Sequence, residues 1–174
     1  MRKGIAIPKI GDIYEVNLTK GVAYAQYVLR HTAPPSYGFV LRVFPGAFAA
    51  RPIDLDEICS RQEQFLAFYS IPTGLNDGFL VKVDFRTVSD RFLSWPMFKN
   101  KPGSKWQIWD GHEFTIEDPL KVEHYDLSIM EIIPRSDLLA KIESGWHPSD
   151  EVFAVNPKLR NTYQAWKRRE GKPD

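Results

Sequence analysis

The sequence predicts an α+β, β-rich fold: a twisted antiparallel sheet or partly open small barrel with C-terminal helices. Three observations lead there. Aromatic residues make up 13% of the 174 positions, with five Trp, seven Tyr and eleven Phe; such side chains favour strands and dominate cores and interfaces. Thirteen Pro and eleven Gly supply frequent turns. Three strand-like runs fall before Pro45, and helical patterning is concentrated after Pro134.

The elements follow in order. Residues 11–18 alternate Ile13 and Val16 with polar neighbours, and residues 22–30 resume a strand-like composition after Thr19-Lys20-Gly21, so the pair predicts a hairpin. Pro34-Pro35 breaks pairing, and residues 37–44 form a third strand closed by Pro45-Gly46. Asp54, with Glu57 three residues on, predicts the N-cap of a short helix over 54–62, followed by a strand at 65–69. Residues 72–78 predict a turn or one helical turn, and 79–85 a clear alternating strand. The Lys-rich stretch from Trp95 to Gly103 looks irregular. Asp110-Gly111 sits between Trp106–Trp109 and Glu113–Ile116, a strong two-residue hairpin signal. Residues 127–133 predict a last strand. Helices follow at 136–143, with Gly145 as C-cap, and from Asn156-Pro157 to about Arg168, presenting Leu159, Tyr163 and Trp166. We therefore expect a β-rich core over 1–133 and a helical extension over 134–174, packed as one globular unit.

The formal net charge is +1, which gives the whole molecule no electrostatic bias toward nucleic acid or anionic lipid. One cysteine, Cys59, excludes an internal disulfide and any multi-cysteine zinc site. The start, Met1 to Pro8, is basic and lacks the apolar run of a signal peptide. No stretch approaches the roughly 20 apolar residues that cross a bilayer. These points predict a cytoplasmic protein.

Each candidate for chemistry has a structural explanation. The four histidines, His31, His112, His124 and His147, include no pair at i, i+4, and no Cys-x-x-Cys is present. Cys59 falls on the apolar side of its predicted helix and reads as a small buried hydrophobe rather than a nucleophile. Asp54 and Asp56 fit helix capping, and Glu117-Asp118 beside Pro119 fits a solvated loop. We expect no catalytic residue, no metal and no cofactor. A weaker rival is a hydrolase in which folding brings His112 or His124 beside a carboxylate.

Charge is distributed unevenly. Asp110, Glu113, Glu117, Asp118, Glu123 and Asp126 face a single base, Lys121, within 110–126. That acidic stretch is the candidate surface for a basic partner. Near the C-terminus, Lys158, Arg160, Lys167, Arg168 and Arg169 surround Trp166. They define an alternative, a nucleic-acid-binding β-barrel module in which the bases meet phosphates and Trp166 stacks on a base. For either run the plain alternative is a solvated surface.

The series Gly11-Asp12-Ile13-Tyr14-Glu15-Val16, Ala23-Tyr24-Ala25-Gln26-Tyr27, Tyr37-Gly38 and Leu41-Arg42-Val43-Phe44 resembles the immunity protein 26 family of bacterial polymorphic toxin systems. The likeness continues at Glu63-Gln64-Phe65, Trp95-Pro96-Met97-Phe98 and Trp106-Gln107-Ile108-Trp109-Asp110-Gly111, covering residues 8–133 in order. It implies a non-catalytic cytosolic protein that binds and neutralises a cognate toxin, without cofactor. It transfers no binding residues. We read Gly11, Gly38 and Gly111 as turn positions, and Trp95, Phe98, Trp106 and Trp109 as core anchors.

Overall fold

Eight strands and five helices form from the patterns above in a computed structural model that describes residues 7–51 and 54–172. The first six residues, part of the segment considered as a possible leader, lie outside the described residues. The fold is α+β, with two antiparallel sheets and helices toward the C-terminus. The chain divides into two compact units, residues 1–95 with 131–146 and residues 96–130 with 147–174. These are not the segments 1–133 and 134–174, because the first C-terminal helix belongs with the first sheet.

In the first unit, β1 (Asp12–Asn17), β2 (Val22–His31), β3 (Gly38–Val43), β4 (Phe65–Phe68) and β5 (Leu80–Phe85) form a sheet in the order β4-β3-β2-β1-β5. Both faces are covered. Tyr14, Val16, Leu41 and Val43 pack with Ile71 of α2 (Ile71–Asn76) and with Leu138 and Ile142 of α3 (Arg135–Glu143). On the opposite face Ile13, Tyr24 and Phe44 pack with Ile58 of α1 (Leu55–Ser60). Each large side chain removed from water in this way contributes roughly 1.5–3 kcal/mol. Asp54 caps α1 as expected, accepting from the amides of Asp56 and Glu57 at 2.8 and 3.4 Å. Cys59 is half-buried, and burial pushes its thiol pKa up. Because β1 is flanked on both sides, by β2 and β5, its carboxylates are buried too. Asp12 accepts from Tyr14 and pairs with Lys82 at 2.6 Å, and Glu15 accepts from Tyr24 and pairs with Arg51 at 2.8 Å.

The second unit holds β6 (Phe98–Asn100), β7 (Gln107–Trp109) and β8 (Phe114–Ile116), paired in that order. The helices α4 (Pro148–Val155) and α5 (Leu159–Arg169) contribute Val152, Phe153, Tyr163 and Trp166 to a core with Trp106, Ile108, Leu120 and Tyr125. The strand expected over 127–133 is absent as an element. Its residues make only single parallel bridges, Ile129 to Lys99 and Ile132 to Phe68, because Ser128 and Ile133 each spend a main-chain group on a different strand. The stretch read as irregular contains β6, too short for any alternation to register. Helix α4 was not anticipated. Its signal is Pro148 at the first position, with His147 and Asp150 forming a capping box. Helix α5 starts two residues beyond the expected Pro157, after an opening turn in which the Asn156 side chain accepts from the Lys158 amide.

Lys99 is 0% exposed. Its ammonium donates to the carbonyls of Tyr125 and Pro148, the latter at 2.7 Å. Burial pushes its pKa down from 10.5 to about 7, against the pull of the acids at 126, 151 and 150. Above pH 7 the unfolded chain therefore holds more protons than the native one at this site.

Gly21 has a φ of +86°, and a Cβ there would lie 2.1 Å from the Phe48 carbonyl oxygen. Gly21→Ala is expected to lower stability by about 1–3 kcal/mol or more, seen as a lower urea midpoint at unchanged slope. Gly38→Ala, with φ of +81° but open space around it, is expected to cost less. For Lys99, native stability is expected to gain up to about 1.4 kcal/mol per pH unit from pH 7 toward about 10 through this one group. Urea titrations of K99M should lack that increment, and an equal slope in K99M would refute the assignment.

Candidate partner-binding surface

The β7–β8 hairpin carries the first two of the six acids, Asp110 and Glu113, and the other four follow β8. Gly111, at φ of 101°, and His112 are its central residues, one position later than Asp110-Gly111. A positive φ at the first central position suits a type II′ turn and requires glycine there. Asp110 precedes the turn and accepts from the amides of His112 and Glu113, both at 2.9 Å. These main-chain donors hold its pKa below the ordinary carboxylate range.

The six acids separate into two kinds. Asp110 is committed to the turn. Glu117 is half-buried, bonded to the His124 ring at 2.8 Å and to the Lys121 amide at 3.0 Å, with the Lys121 ammonium at 3.3 Å. Burial pushes the Glu117 pKa up, but these donors outweigh it and the net shift is down. Asp126 accepts from the Tyr163 hydroxyl and lies 3.3 Å from His147 Nδ1. Burial raises its pKa, and the His147 and Tyr163 bonds bring it below normal. The Tyr163 hydroxyl is correspondingly pushed up by burial and by Asp126. In contrast, Glu113, Asp118 and Glu123 are exposed, and no ion pair holds them among the described residues.

Beside them lie two apolar side chains that the sequence reading did not single out. Phe114 is 45% exposed and Ile116 61% exposed, both on β8. Phe114 stacks on Trp109 of β7 with ring centroids 6.1 Å apart. The alternation Phe114-Thr115-Ile116 after a glycine turn was the available signal. Which side of that strand lacks cover is set by tertiary packing, which the sequence does not display.

The basic alternative is placed differently. Trp166 is only 9% exposed, stacked on Tyr163 and lying under the Lys172 ammonium at 4.1 Å. It is a core anchor, and this corrects its assignment as a stacking platform for a base. Arg160 lies over the Phe153 ring and 3.7 Å from Asp150, and Lys167 lies over Tyr163. Lys158 and Arg168 remain exposed, and Arg169 pairs with Glu170 at 3.7 Å. Much of the basic run is thus spent within the chain.

Folding does set two histidines beside acids, His124 with Glu117 and His147 with Asp126. Ser149 Oγ lies 3.4 Å from His147 Nδ1, the same ring nitrogen that faces Asp126. One nitrogen shared by hydroxyl and carboxylate gives no relay from acid through ring to nucleophile. A groove of about 270 Å3 in the first unit, lined by Tyr69, Thr73, Ile132, Pro134 and Arg135 among others, holds neither pair. His112 is exposed on the turn. Among the described residues, no three His, Cys, Asp or Glu side chains are grouped to hold a metal ion, and no helix is long and apolar enough to cross a membrane.

Comparison with family models, with curated proteins and with solved structures finds no match to this chain.

Proposed function

We propose that this chain is a non-catalytic, cytoplasmic protein-binding domain that acts as an immunity protein, neutralising a cognate bacterial toxin by covering the toxin's active site. The observation that carries the reading is the surface around β8. There the exposed carboxylates Glu113, Asp118 and Glu123 accompany the half-exposed Phe114 and Ile116. Interfaces draw most of their affinity from a few apolar or aromatic anchors, while complementary charge speeds encounter and fixes register. The apolar side chains lie on β8 itself, with Glu113 immediately before it and Asp118 two residues after it. The family resemblance of residues 8–133 supplies the biological role, and a basic surface on the toxin would be its complement. No residue of this chain is assigned a catalytic task, and no cofactor is required.

The test is co-expression with the toxin encoded beside this chain. The native protein is expected to restore growth and to co-purify with the toxin. Combined replacement Glu113→Lys, Asp118→Lys and Glu123→Lys should slow association by on the order of ten-fold at low salt and abolish protection. Thermal unfolding of the variant should match the native chain, since none of the three side chains is tied into the fold. Absence of both complex and protection with the native chain would overturn the reading.

A further inference from the structure

We propose that the outward edge of β8 is a strand-addition site, which pairs its main chain with an extended segment bearing Lys or Arg from the partner. The inference deepens the protein-binding reading above and rests on it.

The register defines which main-chain groups are free. The Asp110 amide donates to the Glu113 carbonyl and the Glu117 amide donates to the Trp106 carbonyl. Alternate residues of an antiparallel strand point their main-chain groups to the same side. Glu113, Thr115 and Glu117 therefore point theirs toward β7, whereas Phe114 and Ile116 point theirs away. Neither residue's outward amide or carbonyl has a hydrogen-bond partner among the described residues.

The other sheet edges are closed or blunted. The outer edge of β6 is taken by residues 128–130, with the Lys99 amide donating to Ser128 and the Met130 amide to Lys99, both at 2.9 Å. The outer edge of β4 receives the Ile133 amide at the Phe68 carbonyl, also at 2.9 Å. Strand β5 carries a register irregularity against β1 and places Lys82 and Asp84 mid-strand. Bulges and mid-strand charges are the usual devices that keep an edge from pairing. Strand β8 has neither: its pairing with β7 is regular, and its three residues are Phe, Thr and Ile.

Charge selects the occupant. Glu113 precedes the strand and Asp118 follows it, both exposed. Lys121, the one base in the 110–126 stretch, is already held by Glu117. An incoming strand with alternating apolar and cationic residues would cover Phe114 and Ile116 on one face and neutralise the acids at both ends. A second copy of this chain pairing through β8 would instead bring like charges together, so the complement is a basic segment of a different protein.

The experiment uses the full chain and a short capped peptide of alternating lysine and valine as probe, followed by amide hydrogen exchange. At saturation the Phe114 and Ile116 amides are expected to exchange about ten-fold more slowly or better, as for an added hydrogen bond. The Thr115 amide, already in the ladder, should change little. Ile116→Pro removes an outward donor at a position where an edge strand tolerates proline, and Ile116→Ala, which keeps the amide, serves as the control for the lost side chain. Ile116→Pro is expected to weaken peptide binding about ten-fold while leaving the Thr115 amide protected. Should that variant fail to fold, peptides N-methylated on alternate amides give the same answer with the native chain, one phase binding and the other not. Peptide binding that leaves both amides exchanging freely would overturn strand addition in favour of side-chain docking alone. Equal binding by both methylated phases would overturn it as well. Concentration-dependent protection without peptide would assign the edge to self-pairing. No peptide binding at all would end the inference while leaving the co-expression result to stand independently.

Discussion

A buried lysine amine is expensive unless its hydrogens find acceptors, and the second unit is organised around one. Lys99 lies on β6, with Nζ donating to the carbonyls of Tyr125 and Pro148. Those acceptors belong to the end of a short 3-10 turn over Val122–His124 and to the first residue of α4. One side chain thus connects a strand, the end of the acidic stretch and the start of a helix. Desolvation works against the charged form, and the depressed pKa expresses that conflict. What results is a fixed position for Asp126, Tyr163 and His147, whose hydrogen bond (Tyr163 to Asp126) and close approach (His147 to Asp126) depend on the segments that Lys99 holds.

The same economy governs the carboxylates of the first unit. Asp12 and Glu15 lie on the interior strand β1, and each has a tyrosine hydroxyl and a cation for company. Buried charges left without such partners would cost far more than the strand could recover. Comparing these with Glu117 and Asp126 shows a consistent division. Acids that the fold encloses are paired, whereas Glu113, Asp118 and Glu123 stand in solvent beside exposed apolar surface. Isolated surface charges need no explanation. Their coincidence with an uncovered strand is what distinguishes this region.

Much of the architecture was legible because it is locally encoded. The strand-like composition around Ile13 and Val16, the Asp54 cap and the glycine turn beside Asp110 each act within a few residues, and the structure places strands, a helix and a hairpin there. The failures have a common cause. Residues 127–133 have strand composition, yet their main-chain groups are divided between β4 and β6, a decision made by distant chain. Strand β6 has three residues, below any periodic signal. Helix α4 was announced by His147, Pro148 and Asp150 but lies in a stretch where proline suggests only a break. At the candidate surface, the acids could be counted from sequence, but their division into engaged and free could not. The burial of Trp166 and the exposure of Ile116 were hidden for the same reason, since both depend on what else reaches their faces.

These observations bear on why the edge of β8 remains open. Edge strands are commonly protected by brevity, by charge at their ends or by cover. Here the strand is short and acids stand at its ends, but among the described residues Phe114 and Ile116 remain 45% and 61% exposed. Terminal acids repel a second copy of the same edge, yet they attract a cationic strand. The protection is therefore selective. On the proposed reading it would oppose self-association while leaving the surface available to a basic partner. A purely structural hairpin would gain from replacing Ile116 with a polar residue, because an exposed isoleucine contributes little to packing and invites aggregation. Retaining an apolar side chain on an open edge, between carboxylates that the fold does not engage, is the combination that a binding role accounts for.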